Sequence, residues 1–373
     1  MLNVLHYVSK MNRAGQETFI MNVFRKIDRE RIRFDFLCSQ NEVGDYDEEI
    51  ESLGGRIFYV PPITMKGPLK QLQKFLLLIQ TLRKHKCDVF HIHTHHAMDA
   101  FEDALAAKIC GIKTVVVHSH NTNTLYHIGA HKVFKNLLKI LRIRRFACSN
   151  MAGNWMFGES DYTVVHNALD LETSYFRQEY REIIRRRMGW ENKKIIGHVG
   201  RFNTQKNHHF LIEIFNIVHQ IDDKTHLVLI GTGELEEKIK HLVDDKGLTE
   251  VVSFLGVRDD VKSLYQGMDL MVFPSLFEGL SVVLIEAQAC DLPCLVSDIN
   301  SKETVLTNRL LMKSLEDSAE EWAEAAISLL NTSEIRCDNR DIMRQGGYDI
   351  LELAGALETM YLGKEKRNQK HMG

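Results

Sequence analysis

The sequence predicts an α/β protein with two doubly wound parallel sheets in tandem. Three observations carry this. Short apolar runs, rich in β-branched residues, recur without polar alternation, the pattern of strands buried on both faces. Amphipathic helical segments separate them. The strand–helix alternation then starts afresh about halfway through the 373 residues, a length comfortable for two domains.

In the first half the expected strands are Asn3–Val8, Phe34–Ser39, Arg56–Val60, Val89–His93, Thr114–His118 and Arg145–Cys148. Helical patterns lie between them, such as "QETFIMNVFRKI", "LKQLQKFLLLIQTLRKH" and "MDAFEDALAAKICG", the last closing on Gly111 as a C-cap. A polar stretch, "HNALDLETSYF", and a charged helix, "YREIIRRRMGW", follow. Strands resume at Ile195–Val199, His226–Gly231, Val251–Leu255, Leu270–Pro274 and Cys294–Ser297. The boundary falls near residues 166–175, giving domains over 1–168 and 169–346. A helix at about 347–363 is expected to pack back onto the first domain. Ligands of such sheets sit beyond the carboxyl ends of the strands, so a cleft between the domains is the expected site.

Composition is that of a soluble globular chain, 44% hydrophobic and 26% charged. A net charge of −3 argues against a polyanionic partner, nucleic acid included. No apolar run approaches the length of a bilayer span. "MLNVLHYVS" reads as a strand rather than a signal sequence, and the seven scattered cysteines read as reduced thiols. Both point to the cytoplasm.

Three stretches can carry chemistry. "FEGLSVVLIEAQ" (277–288) places Glu278 in a turn and Glu286 eight positions on, within an apolar segment. Pro274 closes the preceding strand, and Ser281 is placed to cap a helix from about Val282 to Cys290. The amides of Gly279, Leu280 and Ser281 then form an anion site suited to a diphosphate. A carboxylate at Glu286 accepts two hydroxyl protons at once, as a ribose diol requires. A turn glutamate and an exposed helix glutamate with no ligand fit the spacing equally well.

"GHVGRFNTQKN" (197–207) follows the first strand of the second half. Gly200 permits close backbone approach. Arg201 and Lys206 enter the next helix and suit a diphosphate leaving group; two solvated loop cations are the alternative. "LIGTGELEEKI" (229–239) imitates a dinucleotide fingerprint, but Glu236 occupies the third glycine position, which argues against nicotinamide or flavin. A nucleotide approached by Gly231 and Gly233 stays open.

In order, "VGR…K", "IGTGE", "FLG" and "PSLFEGLSVVLIEAQA" resemble the donor half of glycosyltransferase family 4. These are retaining enzymes of the GT-B architecture, two Rossmann-like domains around a cleft. The resemblance is dense over the C-terminal half and looser before it. It implies that Arg201 and Lys206 hold the donor diphosphate, that Glu278 lies close to the transferred sugar, and that Glu286 binds the ribose. Gly256, Val257 and Arg258 match the turn that meets the base. "RAGQE" (13–17) stands where the family has Gly-Gly-x-Glu: Gly15 matches the second glycine, and Ala14 replaces the first. In "VVVHSHN", His120 matches the histidine near the reacting sugar, with His118 as its competitor.

The activity so implied is transfer of a sugar from a nucleotide diphosphate sugar, a UDP-sugar, to a free or lipid-linked saccharide, as in bacterial exopolysaccharide and capsule synthesis. No cofactor or metal is expected, since Arg201 and Lys206 supply the charge. A nucleotide-sugar 2-epimerase of the same architecture and a non-catalytic nucleotide-sugar binding protein are the alternatives.

Other signals are weaker. In "FHIHTHH", His91, His93 and His95 would share one strand face, but no carboxylate or cysteine completes a metal site. "DYD" (45–47) mimics a manganese-binding aspartate pair and reads better as charge at a helix start. "CDLPC" lacks the second pair that zinc needs. "HKVFKNLLKILRIRR" (131–145) reads as one helix with six cations, Lys132, Lys135, Lys139, Arg142, Arg144 and Arg145. It is either a core-facing helix with a solvated basic side or a peripheral contact with anionic lipid.

Overall fold

The computed structural model describes residues 1–120, 128–278, 280–332 and 334–363. The chain divides into two compact units, one of Met1–Ala168 with the segment that begins at Gly347, the other of Leu169–Gly346.

The first unit runs β1 (Leu2–Val8), α1 (Gly15–Lys26), β2 (Ile32–Cys38), α2 (Asp47–Ser52), β3 (Ile57–Tyr59), α3 (Pro68–Lys84), β4 (Val89–Thr94), α4 (Ala97–Ile109), β5 (Thr114–Ser119), α5 (Ile128–Leu137), β6 (Arg144–Ala147), α6 (Asn150–Phe157) and β7 (Thr163–Val164). The second runs α7 (Gln178–Met188), β8 (Lys194–Val199), α8 (His208–Ile221), β9 (Thr225–Ile230), α9 (Glu236–Asp245), β10 (Val252–Phe254), α10 (Val261–Gly267), β11 (Leu270–Phe273), α11 (Val282–Ala289), β12 (Cys294–Ser297), β13 (Leu310–Lys313), α12 (Ala319–Leu330) and α13 (Arg340–Gln345). The last helix, α14 (Ile350–Tyr361), belongs to the first unit and packs on α1.

Every strand pair among the described residues is parallel. The first sheet is ordered β3-β2-β1-β4-β5-β6-β7 and the second β10-β9-β8-β11-β12-β13. Both are doubly wound, and their order reverses beside β1 and beside β8. Successive strand residues feed opposite cores. Val4, Phe34, Phe36 and Val116 pack with Phe19, Phe24 and Leu357 on one face. Leu5, Tyr7, Phe90, Ile92 and Val117 pack with Ala100, Ala104 and Ala107 on the other. Burial on both faces is why these strands read as continuous apolar runs.

Two short strands were not expected. β7 has two residues at a sheet edge, and β13, "LLMK", alternates buried Leu310 with exposed Leu311, too briefly to show a period. The basic segment is not one helix. α5 ends at Leu137, a single 3₁₀ turn follows, and Arg144 and Arg145 pair with β5 as part of β6. Their guanidiniums turn inward, to the carbonyls of Met360 and Leu138. Asp45 and Asp47 accept the backbone amides of Arg13 and Gly44; Asp47 adds its charge to the first turn of α2, but the expected capping bond is not made. All seven cysteines are free thiols. Among the described residues no helix is long and apolar enough to cross a membrane.

Candidate functional site

In the second unit, the loops after β8 and β11 leave the carboxyl ends of the two neighbouring strands at which the order reverses, where doubly wound sheets bind ligands. Hydrogen bonds stitch these loops together. Gln205 Nε2 donates to Phe277 O at 2.9 Å, the Leu276 amide to Gln205 O at 2.8 Å, and Asn207 Nδ2 to Pro274 O at 3.1 Å. Asn203 caps the turn Thr204–Lys206 by accepting the Lys206 amide at 3.2 Å. Thus held, Lys206 Nζ reaches Glu278 Oε1 at 2.5 Å, with side chains only 14% and 8% exposed. The ammonium also stands 4.4 Å over the Phe273 ring. Each charge compensates the other in a poorly solvated place, where either alone would be costly.

Arg201 does not join that pair. Its side chain is 70% exposed and turns to Glu234 at 3.2 Å. The glycines have steric reasons to be where they are. Gly231 has φ +131°, and a Cβ there would stand 2.1 Å from Gly200 O. One on Gly233 would stand 2.4 Å from Phe202 O, and one on Gly200 would press on the Lys206 side chain at 3.1 Å. Gly231 also donates its amide to Gly256 O, which fixes the turn bearing exposed Val257 and half-buried Arg258; Arg258 is clamped to Asp260 at 2.8 Å.

Gly279 lies outside the described residues. Leu280 and Ser281 are buried. Ser281 takes the N-cap position of α11, but the expected cap is not made. Ser149 and Ser318, by contrast, each accept a first-turn amide. The first-turn amides of α11 are not closed by a capping side chain, as an anion site requires. Further along α11, half-buried Glu286 accepts the Tyr265 hydroxyl at 3.2 Å. Burial holds its carboxyl above the ordinary range, with Lys262 partly opposing. Tyr265, the residue that aims Glu286, escaped the sequence reading because only the packing of α10 on α11 brings it there.

In the first unit, exposed Gly15 opens α1. Two residues on, Glu17 is buried, and desolvation pushes its carboxyl up to about 7. Sequence reading gave Glu17 no role, although it closes the "RAGQE" stretch. His120 follows β5 directly and lies 2.9 Å (Nε2) from His93 Nδ1. His118 sits within β5, fully buried. Burial depresses both imidazoles well below the usual histidine pKa and keeps them neutral. His95 falls beyond the end of β4, so His91 and His93 alone share the expected strand face.

Residues 193–332 match the family model for glycosyl transferases group 1, and residues 13–173 that for glycosyltransferase family 4. The chain is 35% identical over 375 residues to EpsF of Bacillus subtilis (strain 168), which is named as a glycosyltransferase, covering 96% of both. It is 24% identical over 374 residues to the Escherichia coli UDP-Gal:alpha-D-GlcNAc-diphosphoundecaprenol alpha-1,3-galactosyltransferase, covering 94% of both. Among solved structures, Anabaena HepE in complex with UDP-glucose has a TM-score of 0.79 at 18% identity, over 98% of this chain and 100% of that one. The lipopolysaccharide glycosyltransferase WaaG has a TM-score of 0.71 at 16% identity, over 96% and 100%. These likenesses are of fold, and that fold is GT-B.

Proposed function

The chain belongs to glycosyltransferase family 4 and is a glycosyltransferase; on that premise we propose that it moves a sugar from a UDP-sugar to a saccharide acceptor, with retention of anomeric configuration, in polysaccharide synthesis. The observation that carries the reading is the Lys206–Glu278 pair at the carboxyl ends of β8 and β11. A diphosphate at the uncapped start of α11 would meet Lys206, the first-turn amides and Arg201. All three would stabilise the negative charge that grows as the glycosyl bond breaks. Glu278 would then be released toward the sugar, and Glu286, aimed by Tyr265, would take the ribose hydroxyls. His120 is assigned to the reacting sugar, and Gly15 to the diphosphate. The donor needs no metal in this scheme, because protein cations carry the charge.

A donor screen with UDP release as readout tests the reading. Acceptor-dependent release from one UDP-sugar, with an α-configured product from an α-configured donor, is the expected result. Conversion of the donor to its 2-epimer without net transfer would overturn it.

The acceptor is proposed to be lipid-linked, with the protein working at the cytoplasmic membrane face. Lys132, Lys139 and Arg142 are exposed beside exposed Val133 and Ile140, a basic and apolar patch suited to anionic headgroups. Lys135 is engaged with Asn154 O at 2.6 Å and is not part of it. Salt-sensitive co-sedimentation with anionic vesicles, lost when the three cations become glutamate, is expected. Equal sedimentation of the two proteins would remove the membrane setting.

A further inference from the structure

Five histidines converge on one face of the first sheet: His6 from β1, His91 and His93 from β4, His118 from β5, and His120 just beyond it. Parallel register does this. His6 stands opposite His91, and His93 opposite His118, while residues two apart share a face. Histidines stacked in a core are usually satisfied by their neighbours. Here the hydrogen bonds do not add up. A neutral imidazole has one donor and one acceptor nitrogen. His6 Nδ1 pairs with His93 Nε2 at 2.9 Å, His93 Nδ1 with His120 Nε2 at 2.9 Å, and His91 Nδ1 with the Tyr361 hydroxyl at 2.7 Å. That leaves His6 Nε2, His91 Nε2, His120 Nδ1 and both nitrogens of His118 buried, with no hydrogen-bond partner among the described residues. His118 is the sharpest case: it is fully buried with neither nitrogen used, where an apolar ring would cost less.

We propose that His93, His118 and His120 form a binding site for a single late first-row transition-metal ion of the zinc class. Their three ligand nitrogens lie within 4.8 Å of one another. Zinc–nitrogen bonds of about 2.0–2.1 Å in tetrahedral geometry set ligand nitrogens roughly 3.4 Å apart, so modest ring rotations close the site. With His93 Nδ1 on the ion, its Nε2–H donates to His6 Nδ1, the type of outer contact that fixes the tautomer of a metal-bound histidine. A donor set made only of imidazoles selects zinc, nickel or copper over magnesium, calcium or manganese, which take oxygen ligands. Half-buried His120 gives an ion a way in. His6, His91 and His93 form a second compact trio, but it shares His93 and all three rings are enclosed, so the outer trio is the site. The proposal rests on the first unit alone; it shares His120 with the donor reading, and because its readout is metal binding rather than transfer, the two fail separately.

The test uses tag-free full-length protein stripped of metal, with Zn²⁺ titrated against a chromophoric chelator and Co²⁺ absorption as the report of geometry. Wild type is expected to bind one Zn²⁺ and to give a four-coordinate Co²⁺ spectrum. His118→Asn and His120→Gln should each weaken binding by about 100-fold or more, whereas His91→Asn, which removes an equally buried ring outside the trio, should stay within about threefold of wild type. Circular dichroism checks that each variant is folded. If His118→Asn does not fold, His120→Gln, at the half-buried position, decides the matter. No Zn²⁺ binding by folded wild type, an octahedral Co²⁺ spectrum, or equal losses in His91→Asn and the ligand variants would each overturn the proposal.

Discussion

Lys206 Nζ and Glu278 Oε1 lie 2.5 Å apart, although 72 residues separate them in the chain. The pair is nearly enclosed, so removing one member takes away the opposite charge that compensates the other. Lys206→Met is expected to cost about 2–3 kcal/mol, with most of it recovered in Lys206→Met/Glu278→Leu, where no charge is left buried. Urea denaturation of both proteins measures this. Turnover at saturating donor should fall about 100-fold or more in both. A variant that altered only the donor KM would remove Lys206 from the leaving-group role.

Arg201 offers the contrasting case. Its ion pair with Glu234 is exposed and contributes about 0–1 kcal/mol. Arg201→Ala should therefore leave the Tm unchanged while lowering kcat about 100-fold. Unchanged kcat would mean that Arg201 is a solvated loop cation.

Glu286→Ala is expected to weaken UDP binding by about 1.5–3 kcal/mol, and Tyr265→Phe by about 0.5–1.5 kcal/mol through looser aim of the carboxylate. The ionised carboxylate is the form that accepts both ribose hydroxyls, and burial raises its pKa. UDP affinity should thus fall on acidification at a pH above the ordinary carboxylate range, and Glu286→Gln should lack that dependence. Calorimetry across pH checks both; equal UDP affinity in folded Glu286→Ala would end the ribose assignment.

Glu17 carries a pH dependence of stability. Its folded pKa of about 7 lies above the ordinary 4.5, so the folded state holds the proton more tightly than the unfolded one. That contribution is fully present below the unfolded pKa and is lost as pH rises through the folded value. Glu17→Gln should match wild type near pH 4 and exceed it by about 1–3 kcal/mol at pH 8. Buried Asp103, also raised to about 7, slopes the same way in both proteins and cancels in the comparison. Urea midpoints that track wild type at both pH values would count against a buried, protonated Glu17.

Excess EDTA should leave turnover intact, because the charge on the leaving diphosphate is met by Lys206, Arg201 and backbone amides. The same treatment removes any ion from the histidine site and leaves His120 to its assigned contact with the sugar, so loss of that ion should not lower turnover. Complete loss of activity, restored by manganese, would overturn the metal-free scheme.

Much was legible from local pattern. Continuous β-branched runs betrayed strands buried on both faces, and the intervening periodic segments betrayed the helices that cover them. That alternation does not record the order of the strands, which the fold decides. The glycine and glutamate spacing of 197–207 and 277–288 marked the loops at the carboxyl ends of β8 and β11. The basic segment misled because Val133, Phe134, Leu137, Leu138 and Leu141 keep a helical period up to the point where Arg144 is drawn into the sheet.

Sequence alone thus determined the layered α/β architecture, because buried strands and covering helices leave different apolar periods in a single chain. Only the tertiary structure decided which groups meet. Lys206 was read as a partner of Arg201 and is neutralised by Glu278; Ser281 was read as a cap and makes no cap hydrogen bond. Histidines from three strands, spread over residues 6–120, become one cluster through the register of a parallel sheet. Register and loop stitching join residues far apart in the chain, and no local period records such a meeting.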